Sequence, residues 1–375
     1  MNDMVSEVLK FVEENDVKFI RLAFCDIFGT QKNVAIMPEE LPRAFETGIS
    51  LDASSVRGFF NARETDLFLV PDPGTLSILP WRPSHGRVVR LFCNIRYPDG
   101  RIFEGDCRNI LRKAAARAAS MGYVCKIGSE CEFYLFQTDE NGDPTMIPQD
   151  RAGYCDIAPR DRGENVRREI CLTLEQMGIR PENSHHEQGP GQNEIDFKYS
   201  DALSAADNLI TFKSVVKTIA ARNGLYASFM PKPLADKSGS GMHINLSLFK
   251  NRKNLFGTDG SGRSEEAESF MAGILHRVPE ITAFLNPLTN SYARFGSFDA
   301  PKYLTWSHQN RSQPVSYTHL RYRACMDEGY GKPLGHPVIS TENHAAQLDG
   351  LDEVLHLSLI HIWQRKPRPC LGISM

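Results

Sequence analysis

The sequence predicts an α+β protein made of two modules. About the first 100 residues contain several short strand patterns and only one or two helical ones, whereas the stretch that follows alternates longer helical patterns with strands that carry polar residues. The chain has 375 residues, of which 41% are hydrophobic and 24% are charged. This length and composition are typical of a globular protein with about two domains, each able to bury a core.

The charge and the apolar segments argue against several classes of partner. A net charge of −3 leaves no basic surface for a nucleic acid, and no apolar run approaches the roughly 18–20 residues that span a bilayer. The acidic start Met1–Glu7 lacks the basic segment of a secretory signal. The nine cysteines include no Cys-x-x-Cys pair, which favours a reducing compartment over a disulfide framework. We therefore expect a cytoplasmic protein that binds neither nucleic acid nor membrane.

The first module, residues 1–104, is predicted from hydrophobic spacing and turn residues. Apolar residues at helical spacing predict a helix over residues 4–12, and Leu51–Ser55 is expected in a loop. The expected strands are Val17–Cys25, Gln31–Ile36, Leu67–Val70, Leu76–Leu79 and Val88–Ile95.

The second module is expected to begin after a break near Glu104–Asp106. Asp106 can cap a helix that ends at Gly122. Further helices are predicted over residues 163–177, 204–223 and 265–275, and strands over Tyr123–Ile127, Glu130–Phe136, Ser184–Gln188 and Asn193–Tyr199, the first two as a pair.

One strand of this module carries polar side chains along a complete face. Its residues alternate, with Met242, Ile244, Leu246 and Leu248 on an apolar side and His243, Asn245 and Ser247 on the other. Such alternation predicts a half-buried strand. Taken alone, an edge strand with a solvated histidine explains the pattern as well as a functional site does.

Two glutamates alternate on a second strand. Glu130 and Glu132 flank Cys131, so on a strand they lie on one face, about 6.6 Å apart. A solvated strand face is the commoner explanation of an isolated Glu-x-Glu.

Two more glutamates flank a predicted hairpin. If its loop is Gly189–Gln192, Glu187 lies directly opposite Glu194. Facing carboxylates repel each other unless a cation lies between them. A surface hairpin with two accidental acids is the alternative.

Together these residues offer an oxygen-rich set of metal ligands, namely Glu130, Glu132, Glu187, Glu194 and His243. Oxygen ligands favour Mg²⁺ or Mn²⁺ over Zn²⁺, and four carboxylates are better balanced by two divalent ions than by one. Paired ions of this kind bind phosphates, yet the chain has neither a Gly-x-x-x-x-Gly-Lys-[Ser/Thr] segment nor a complete dinucleotide-binding glycine pattern. Any nucleotide therefore needs another kind of pocket, for which Arg294 and Arg311 are candidate anion-binding residues.

Several longer segments resemble bacterial type I glutamine synthetase. They are Ser184–Glu187, Gly191–Lys198, Phe229–Pro233, Gly239–His243 and Asn286–Arg294, with Asp26–Gly29 and Asp52–Ser55 in the first module. The resemblance runs in order from about residue 10 to Gln313. It implies a β-grasp N-terminal domain followed by a catalytic domain, residues 105–313, with an antiparallel, barrel-like sheet flanked by helices.

The same resemblance implies a ligase that joins glutamate and ammonia using ATP. The reaction would pass through γ-glutamyl phosphate, with two or more Mg²⁺ or Mn²⁺ ions bound. One ion would be held by Glu132, Glu187 and Glu194, and another by Glu130 and His243.

Other roles are carried over from the family by position. Asp299 stands where the family usually has a glutamate. The implied roles are catalytic for Asp52, Asp299 and Arg311, substrate-binding for Ser55, Gly239 and Arg294, and nucleotide-binding for Glu182, Asn245 and Ser247.

The resemblance also implies an assembly, a homo-oligomer of twelve subunits in two stacked hexameric rings, with Asp52 contributed by a neighbouring subunit. The match stops at about Gln313, and residues 314–375 form an atypical tail that is not expected to belong to the fold. We therefore expect a C-terminally incomplete catalytic domain, an open edge on its sheet and little synthetase activity.

Three other functions stay open at the level of the sequence. A γ-glutamyl ligase acting on a polyamine or another amine keeps the chemistry and changes the nucleophile. A catalytically inert scaffold of the same fold agrees with the unmatched tail. A two-metal phosphohydrolase accounts for the carboxylates but not for the ordered motifs.

Overall fold

The computed structural model describes residues 3–26, 29–59, 66–256, 265–298 and 300, together with the backbone of three short strands within 306–323. Among these residues the chain forms two β-sheets with associated helices. None of the described helices is both long enough and apolar enough to cross a membrane.

The first part of the chain forms the smaller sheet and two helices. The helices are α1 (Asp3–Glu14) and α2 (Leu41–Glu46), and the strands are β1 (Val17–Cys25), β2 (Gln31–Ile36), β3 (Ile49–Asp52), β4 (Asp66–Pro71), β5 (Ser77–Ile78) and β6 (Arg87–Arg96). Short 3-10 turns cover Pro38–Glu40, Ala53–Ser55 and Pro73–Thr75. The predicted bounds of β1 and β2 are confirmed.

The strands of this part lie in the order β2-β1-β6-β4-β3, with β5 paired to β6. β1 runs parallel to β6, and the other pairs are antiparallel. The loop predicted over Leu51–Ser55 is partly wrong. Leu51 and Asp52 pair with Leu67 and Asp66, because the ladder between β3 and β4 extends this far.

Helices α1 and α2 are held by one apolar core. Val8 and Val12 of α1 and Leu41 and Ala44 of α2 are buried. They belong to the cluster that also contains side chains of β1 and β6. Burial of a large apolar side chain stabilises the fold by about 1.5–3 kcal/mol. These contacts, rather than helix propensity, stabilise two helices that are too short to persist alone.

The second part of the chain forms the larger sheet. Its helices are α3 (Cys107–Ser120), α4 (Glu164–Gln176), α5 (Ala202–Arg222), α6 (Glu265–Leu285) and α7 (Thr289–Tyr292). Its strands are β7 (Val124–Thr138), β8 (Pro144–Pro148), β9 (Pro181–His186), β10 (Gln192–Asp201), β11 (Leu225–Ser228), β12 (Met242–Lys250), β13 (Lys253–Asn254), β14 (Trp306–Ser307), β15 (Val315–Ser316) and β16 (Arg321–Arg323).

Strand β7 is the hub of this sheet. Over its 15 residues it pairs with β12 on one side and β10 on the other, and further along with β11 and β8. The order is β14-β15-β16-β12-β7-β10-β9, with β8 and β11 on β7 and β13 on β12. Apart from the parallel pair β14 and β15, the described pairs are antiparallel.

The two strands predicted over Tyr123–Ile127 and Glu130–Phe136 are one continuous strand, so that prediction is wrong. Gly128 pairs with Asn245, and Ser129 continues the same ladder along β12. A glycine and a serine favour a turn locally, but hydrogen bonds to neighbouring strands keep them extended here.

Four helices supply the core of the second part. Apolar residues of α3, α4, α5 and α6 lie in one cluster with the inward side chains of β7, β10 and β12. The helix predicted over residues 265–275 is longer than expected, because α6 continues through Pro279 to Leu285. Val278 and Ile281 extend its buried stripe, and this packing outweighs the hydrogen bond that proline cannot donate.

The edge of β12 that does not face β7 is paired with β16 over three residues. His243, Ile244 and Asn245 lie opposite Arg323, Tyr322 and Arg321 of β16, respectively. The expectation of an open edge is therefore wrong at this point, because backbone from the predicted tail completes the ladder. Most of residues 314–375 lie outside the described part of the chain.

Arg108 of α3 joins the two parts of the chain. Its Nε and Nη2 donate to Asp207 of α5 at 3.1 and 2.9 Å, and Nη2 also donates to Asp72 at 3.0 Å. Its Nη1 donates to Asn94 of β6 at 2.9 Å. Burial raises the pKa of Asp207, and Arg108 offsets part of that shift. A buried charge network therefore fixes helices α3 and α5 of the second part to Asp72 and β6 of the first.

Candidate active site

The polar face of β12 lies beside the carboxylates of β7. Met242, Ile244 and Leu246 are buried in the core, which confirms the predicted alternation. His243 pairs with Glu130 across the ladder. The imidazole and the carboxylate therefore lie on the same face of the sheet.

Both oxygens of Glu130 are held by residues of β12. Nδ1 of His243 lies 3.0 Å from Oε2, and Nδ2 of Asn245 donates to Oε1 at 2.9 Å. If the proton of His243 is on Nδ1, the lone pair on Nε2 remains for another ligand. Nε2 lies 4.0 Å from Oε1 of Glu132.

Glu132 is oriented by its own hydrogen bonds. Gln192 Nε2 and the Gly241 N–H donate to Oε2 at 2.8 and 3.0 Å. Gln192 is fully buried, and its Oε1 accepts the N–H of Gly189 at 2.9 Å. The Glu132 carboxylate is thus fixed through one oxygen, while the other lies toward His243.

The hairpin of β9 and β10 has a different register from the predicted one. Glu194 lies opposite His185, and the N–H of Glu187 donates to the carbonyl of Gln192 at 2.8 Å. The direct pairing of Glu187 with Glu194 is therefore wrong, because the loop begins one residue earlier than predicted. A shift of two residues in the pairing keeps both glutamates on one face. The ring of His185 lies between them, 3.4 Å from an oxygen of each.

Glu194 lies in the middle of the carboxylates. Burial, followed by the charges of Glu132, Asp196, Glu187 and Glu130, raises the pKa of Glu194 to about 11. Such a shift means that the ionised form needs positive charge nearby.

Two groups of possible metal ligands share Glu194. Its carboxylate lies within 4.8 Å of ligand atoms of Glu130 and His243, and likewise of His185 and Glu187. Carboxylate oxygens with one or two imidazoles fit a hard divalent cation such as Mg²⁺ or Mn²⁺. The residues present therefore fit a divalent cation, although the two groups differ from the predicted ligand sets, because Glu132 is in neither group and His185 is in one of them.

In the absence of a cation, the chain is expected to lose stability as pH rises. The pKa of Glu194 is raised from 4.5 to about 11 on folding, so between these values the folded state holds a proton that the unfolded state releases. This contribution is complete below pH 4.5 and is lost as pH rises through about 11. Urea unfolding in EDTA between about pH 6 and 9 should show a falling midpoint, with a smaller slope for Glu194→Gln.

Glu140→Gln makes the same chemical change on an exposed turn. Its urea midpoint should fall with pH as steeply as that of the unchanged chain. Equal slopes for all three proteins would contradict this account of Glu194.

Gly239 and Gly241 bring the backbone against Arg294. A Cβ at Gly239 would lie 2.7 Å from Arg294 Cγ, and a Cβ at Gly241 would lie 3.1 Å from Arg294 Nη2. A Cβ at Gly241 would also lie 3.1 Å from Glu132 Oε1 and 3.1 Å from His243 Nε2. In the described part of the chain, Arg294 Nε has no hydrogen-bond partner. The guanidinium therefore lies beside the carboxylates with donor capacity for an anion.

A cavity of about 420 Å³ adjoins the carboxylates. Its lining includes Glu182, Asn245 and Ser247, which are the three residues predicted to contact a nucleotide, and also Glu130. Asn245 Oδ1 is buried and has no hydrogen-bond partner among the described residues. The cavity thus has the size of a small-molecule site, and one of its lining residues has an unused acceptor.

Asp52 and Ser55 contact each other at the exposed end of β3. The hydroxyls of Ser54 and Ser55 donate to the Asp52 carboxylate at 2.6 and 3.0 Å, and these hydrogen bonds lower the pKa of Asp52. Among the described contacts, none joins Asp52 to the carboxylates around Glu194. The predicted catalytic residues Asp299 and Arg311 lie outside the described residues.

Three residues of the site were not assigned from the sequence, namely His185, Gln192 and Asp196. Asp196 follows Glu194 at strand spacing and lies opposite Glu130, so the alternation that identified Glu130 and Glu132 also applies to it. The contact of Gln192 with Glu132 has no local signal, because it depends on how β10 pairs with β7.

Two family models match the sequence. The one described as glutamine synthetase, catalytic domain, matches residues 104–322, and the one described as glutamine synthetase, beta-Grasp domain, matches residues 16–98. These matches confirm the α+β fold of a β-grasp domain followed by a catalytic domain. The catalytic match also extends past the predicted end at Gln313.

Known proteins agree with the family models. Glutamine synthetase of Clostridium saccharobutylicum is 52% identical over 309 residues, which make up 82% of this chain and 70% of that protein. A structure of Plasmodium falciparum glutamine synthetase has a TM-score of 0.80 at 25% identity, over 96% of this chain and 73% of that one. An ADP complex of GmaS has a TM-score of 0.77 at 31% identity, over 84% and 75% of the two chains. With the carboxylate cluster and its adjoining cavity, these similarities show that the chain belongs to the glutamine synthetase family of glutamate–ammonia ligases.

Proposed function

We propose that this ligase forms glutamine through γ-glutamyl phosphate, with ATP in the cavity beside Glu130. The observation that carries the proposal is the convergence of buried carboxylates on Glu194 next to a cavity lined by Glu182, Asn245 and Ser247. A purely structural sheet would have no reason to bury facing acids without a counter-charge. The similarity to the ADP complex of GmaS also supports a nucleotide here.

The carboxylates divide into two ligand sets in this proposal. Glu132, Glu187 and Glu194 would hold one divalent cation, Mg²⁺ or Mn²⁺, and Glu130 with His243 would hold another. Bound cations would supply positive charge that offsets the phosphate oxygens of ATP during phosphoryl transfer. The hydrogen bonds from Gln192 to Glu132 and from Asn245 to Glu130 orient both sets before any ligand binds.

Arg294 would bind the carboxylate of the substrate glutamate. Its guanidinium lies over Gly241, and a Cβ at position 239 would lie only 2.4 Å from the Pro231 carbonyl oxygen and 2.7 Å from Arg294 Cγ. The γ-carboxylate of glutamate would attack the γ-phosphorus of ATP and release ADP. Ammonia would then attack the acyl carbon and displace phosphate, with Asp299 shielding the intermediate from water and Arg311 binding the phosphate.

Asp52 and Ser55 would bind ammonium and remove a proton from it. The hydroxyl hydrogen bonds that lower the pKa of Asp52 keep it anionic for this purpose. Because Asp52 lies apart from Glu194 within one chain, the pair would serve the site of a neighbouring subunit. This arrangement supports a homo-oligomer, of two stacked hexameric rings in our proposal, and native mass measurement tests it.

A coupled ADP-release assay tests the proposed reaction. With glutamate, ammonium and Mg²⁺ present, we expect slow ADP release that stops when any one of them is omitted. ADP release without glutamate would support a phosphohydrolase instead. A polyamine that replaces ammonium with a higher rate would support a different γ-glutamyl ligase, and absence of ATP binding by calorimetry would support an inert scaffold.

A further inference from the structure

The hairpin that carries Glu187 and Glu194 is fastened from its other face. His186 and Asn193 lie opposite each other in the β9–β10 ladder and point away from the glutamates. Both are almost completely buried. They contact two clusters of charged residues, and none of the hydrogen bonds described for these clusters goes to a proposed metal-binding side chain.

Asp150 forms the first cluster. Its Oδ1 accepts the N–H of Gly191 at 2.9 Å and lies 3.0 Å from His186 Nε2, and its Oδ2 accepts the N–H of Arg162 at 2.9 Å. The other ring nitrogen of His186 lies 2.6 Å from the carbonyl oxygen of Glu187. The backbone on either side of the hairpin turn is therefore tied to one buried carboxylate.

Arg167 of α4 forms the second cluster. It contacts both oxygens of Asp161, at 3.2 and 2.5 Å, and its Nη1 also donates to Asn193 Oδ1 at 2.6 Å. Asn193 Nδ2 in turn donates to the carbonyl oxygen of Gly191 at 2.9 Å. The residue next to Glu194 is thus fixed by a buried guanidinium that contacts three acceptor oxygens.

These clusters do not need a metal of their own. Asp150, Asp161 and His186 have ligand atoms within 4.8 Å of one another, but Arg167 already supplies the positive charge beside Asp161. Three backbone N–H groups and the ring of His186 occupy the oxygens of Asp150. Their contacts instead reach positions 186, 191 and 193, which flank Glu187 and Glu194.

We propose that this network, the back brace formed by Asp150 with His186 and by Arg167 with Asp161 and Asn193, positions Glu187 and Glu194 for their cation. The proposal rests on the metal assignment above. Repelling carboxylates move apart unless their backbone is held, and the brace holds it at the points that flank them. These are positioning residues, since they act through the hairpin and not on the ligand.

Mn²⁺ binding to the full chain, measured from the electron paramagnetic resonance signal of free Mn²⁺, tests the brace. Asn193→Ala removes the contact with Arg167 while leaving the buried Arg167–Asp161 pair intact. We expect its Mn²⁺ dissociation constant to rise about 10-fold at one class of sites, with the second class, assigned to Glu130 and His243, unchanged. Arg167→Lys should also raise the Mn²⁺ dissociation constant, because a lysine ammonium cannot form the parallel hydrogen bonds of the planar guanidinium.

Arg168→Lys is the matched control, since it makes the same change one residue along α4 at an exposed side chain and should leave Mn²⁺ binding unchanged. Thermal unfolding in EDTA shows whether each variant is folded. A folded Asn193→Ala chain that binds Mn²⁺ as tightly as the unchanged chain would overturn the brace and leave the metal assignment standing. Failure of the unchanged chain to bind Mn²⁺ would overturn both.

Discussion

Replacing Glu194 by glutamine is expected to slow ADP release with glutamate and ammonium by more than about 100-fold. Glu194 lies near both groups of possible ligands, and in the proposed division it holds one cation with Glu132 and Glu187, so its loss weakens the binding of that cation directly. Glutamine has nearly the same volume and no charge. The change therefore removes a ligand without opening a cavity.

The same variant separates loss of function from loss of fold. Its Mn²⁺ affinity should fall together with its activity, while in EDTA at pH 8 it should be more stable than the unchanged chain, because glutamine is neutral without the proton that Glu194 must take up on folding. Glu140→Gln, on an exposed turn, should match the unchanged chain in all three measurements. Activity within about tenfold of the unchanged chain would refute the central place of Glu194.

Replacing Arg108 by methionine is expected to lower the free energy of unfolding by about 3–5 kcal/mol. The Arg108 side chain is 6% exposed and that of Asp207 is 12% exposed, so the substitution removes the cation that contacts this buried carboxylate and leaves it only the charge of Arg90. Asp72 and Asn94 lose a donor at the same time. Urea unfolding followed by circular dichroism measures the change.

Two further variants identify the cause of that loss. Arg112→Met, on the same helix but with a side chain that is 40% exposed, should cost less than about 1 kcal/mol. The double change Arg108→Met with Asp207→Leu should recover much of the stability, because an apolar pair carries no desolvation penalty. Equal losses for Arg108→Met and Arg112→Met would show that burial of the network contributes nothing.

The local sequence pattern was sufficient to predict much of the fold. The bounds of β1 and β2, the cap of α3 by Asp106 and the alternation of β12 all follow from residues close in sequence, and the structure confirms them. The family resemblance is also confirmed, because long ordered motifs seldom agree by chance. In the site, the residues that local alternation places on one strand face do lie together.

Pairing between strands was less predictable. The register of Glu187 with Glu194 was wrong by two residues, because turn residues in Gln188–Gln192 allow more than one loop position. β7 was divided at Gly128 because the neighbours that hold it extended are distant in sequence. The brace at Asp150 and Arg167 depends on the same long-range contacts, and single-residue patterns give no signal for it.

The length of β7 has a consequence for protein engineering. One uninterrupted strand sets the positions of Glu130 and Glu132 against β12 on one side and β10 on the other. Inserting or deleting one residue between Val124 and Glu130 would turn both carboxylates to the opposite face of the sheet relative to the start of β7. The exposed turn at residues 139–143, beyond the last ladder with β10 and β12, is where an affinity tag or a fluorescent reporter can be inserted while the spacing of the acids is preserved.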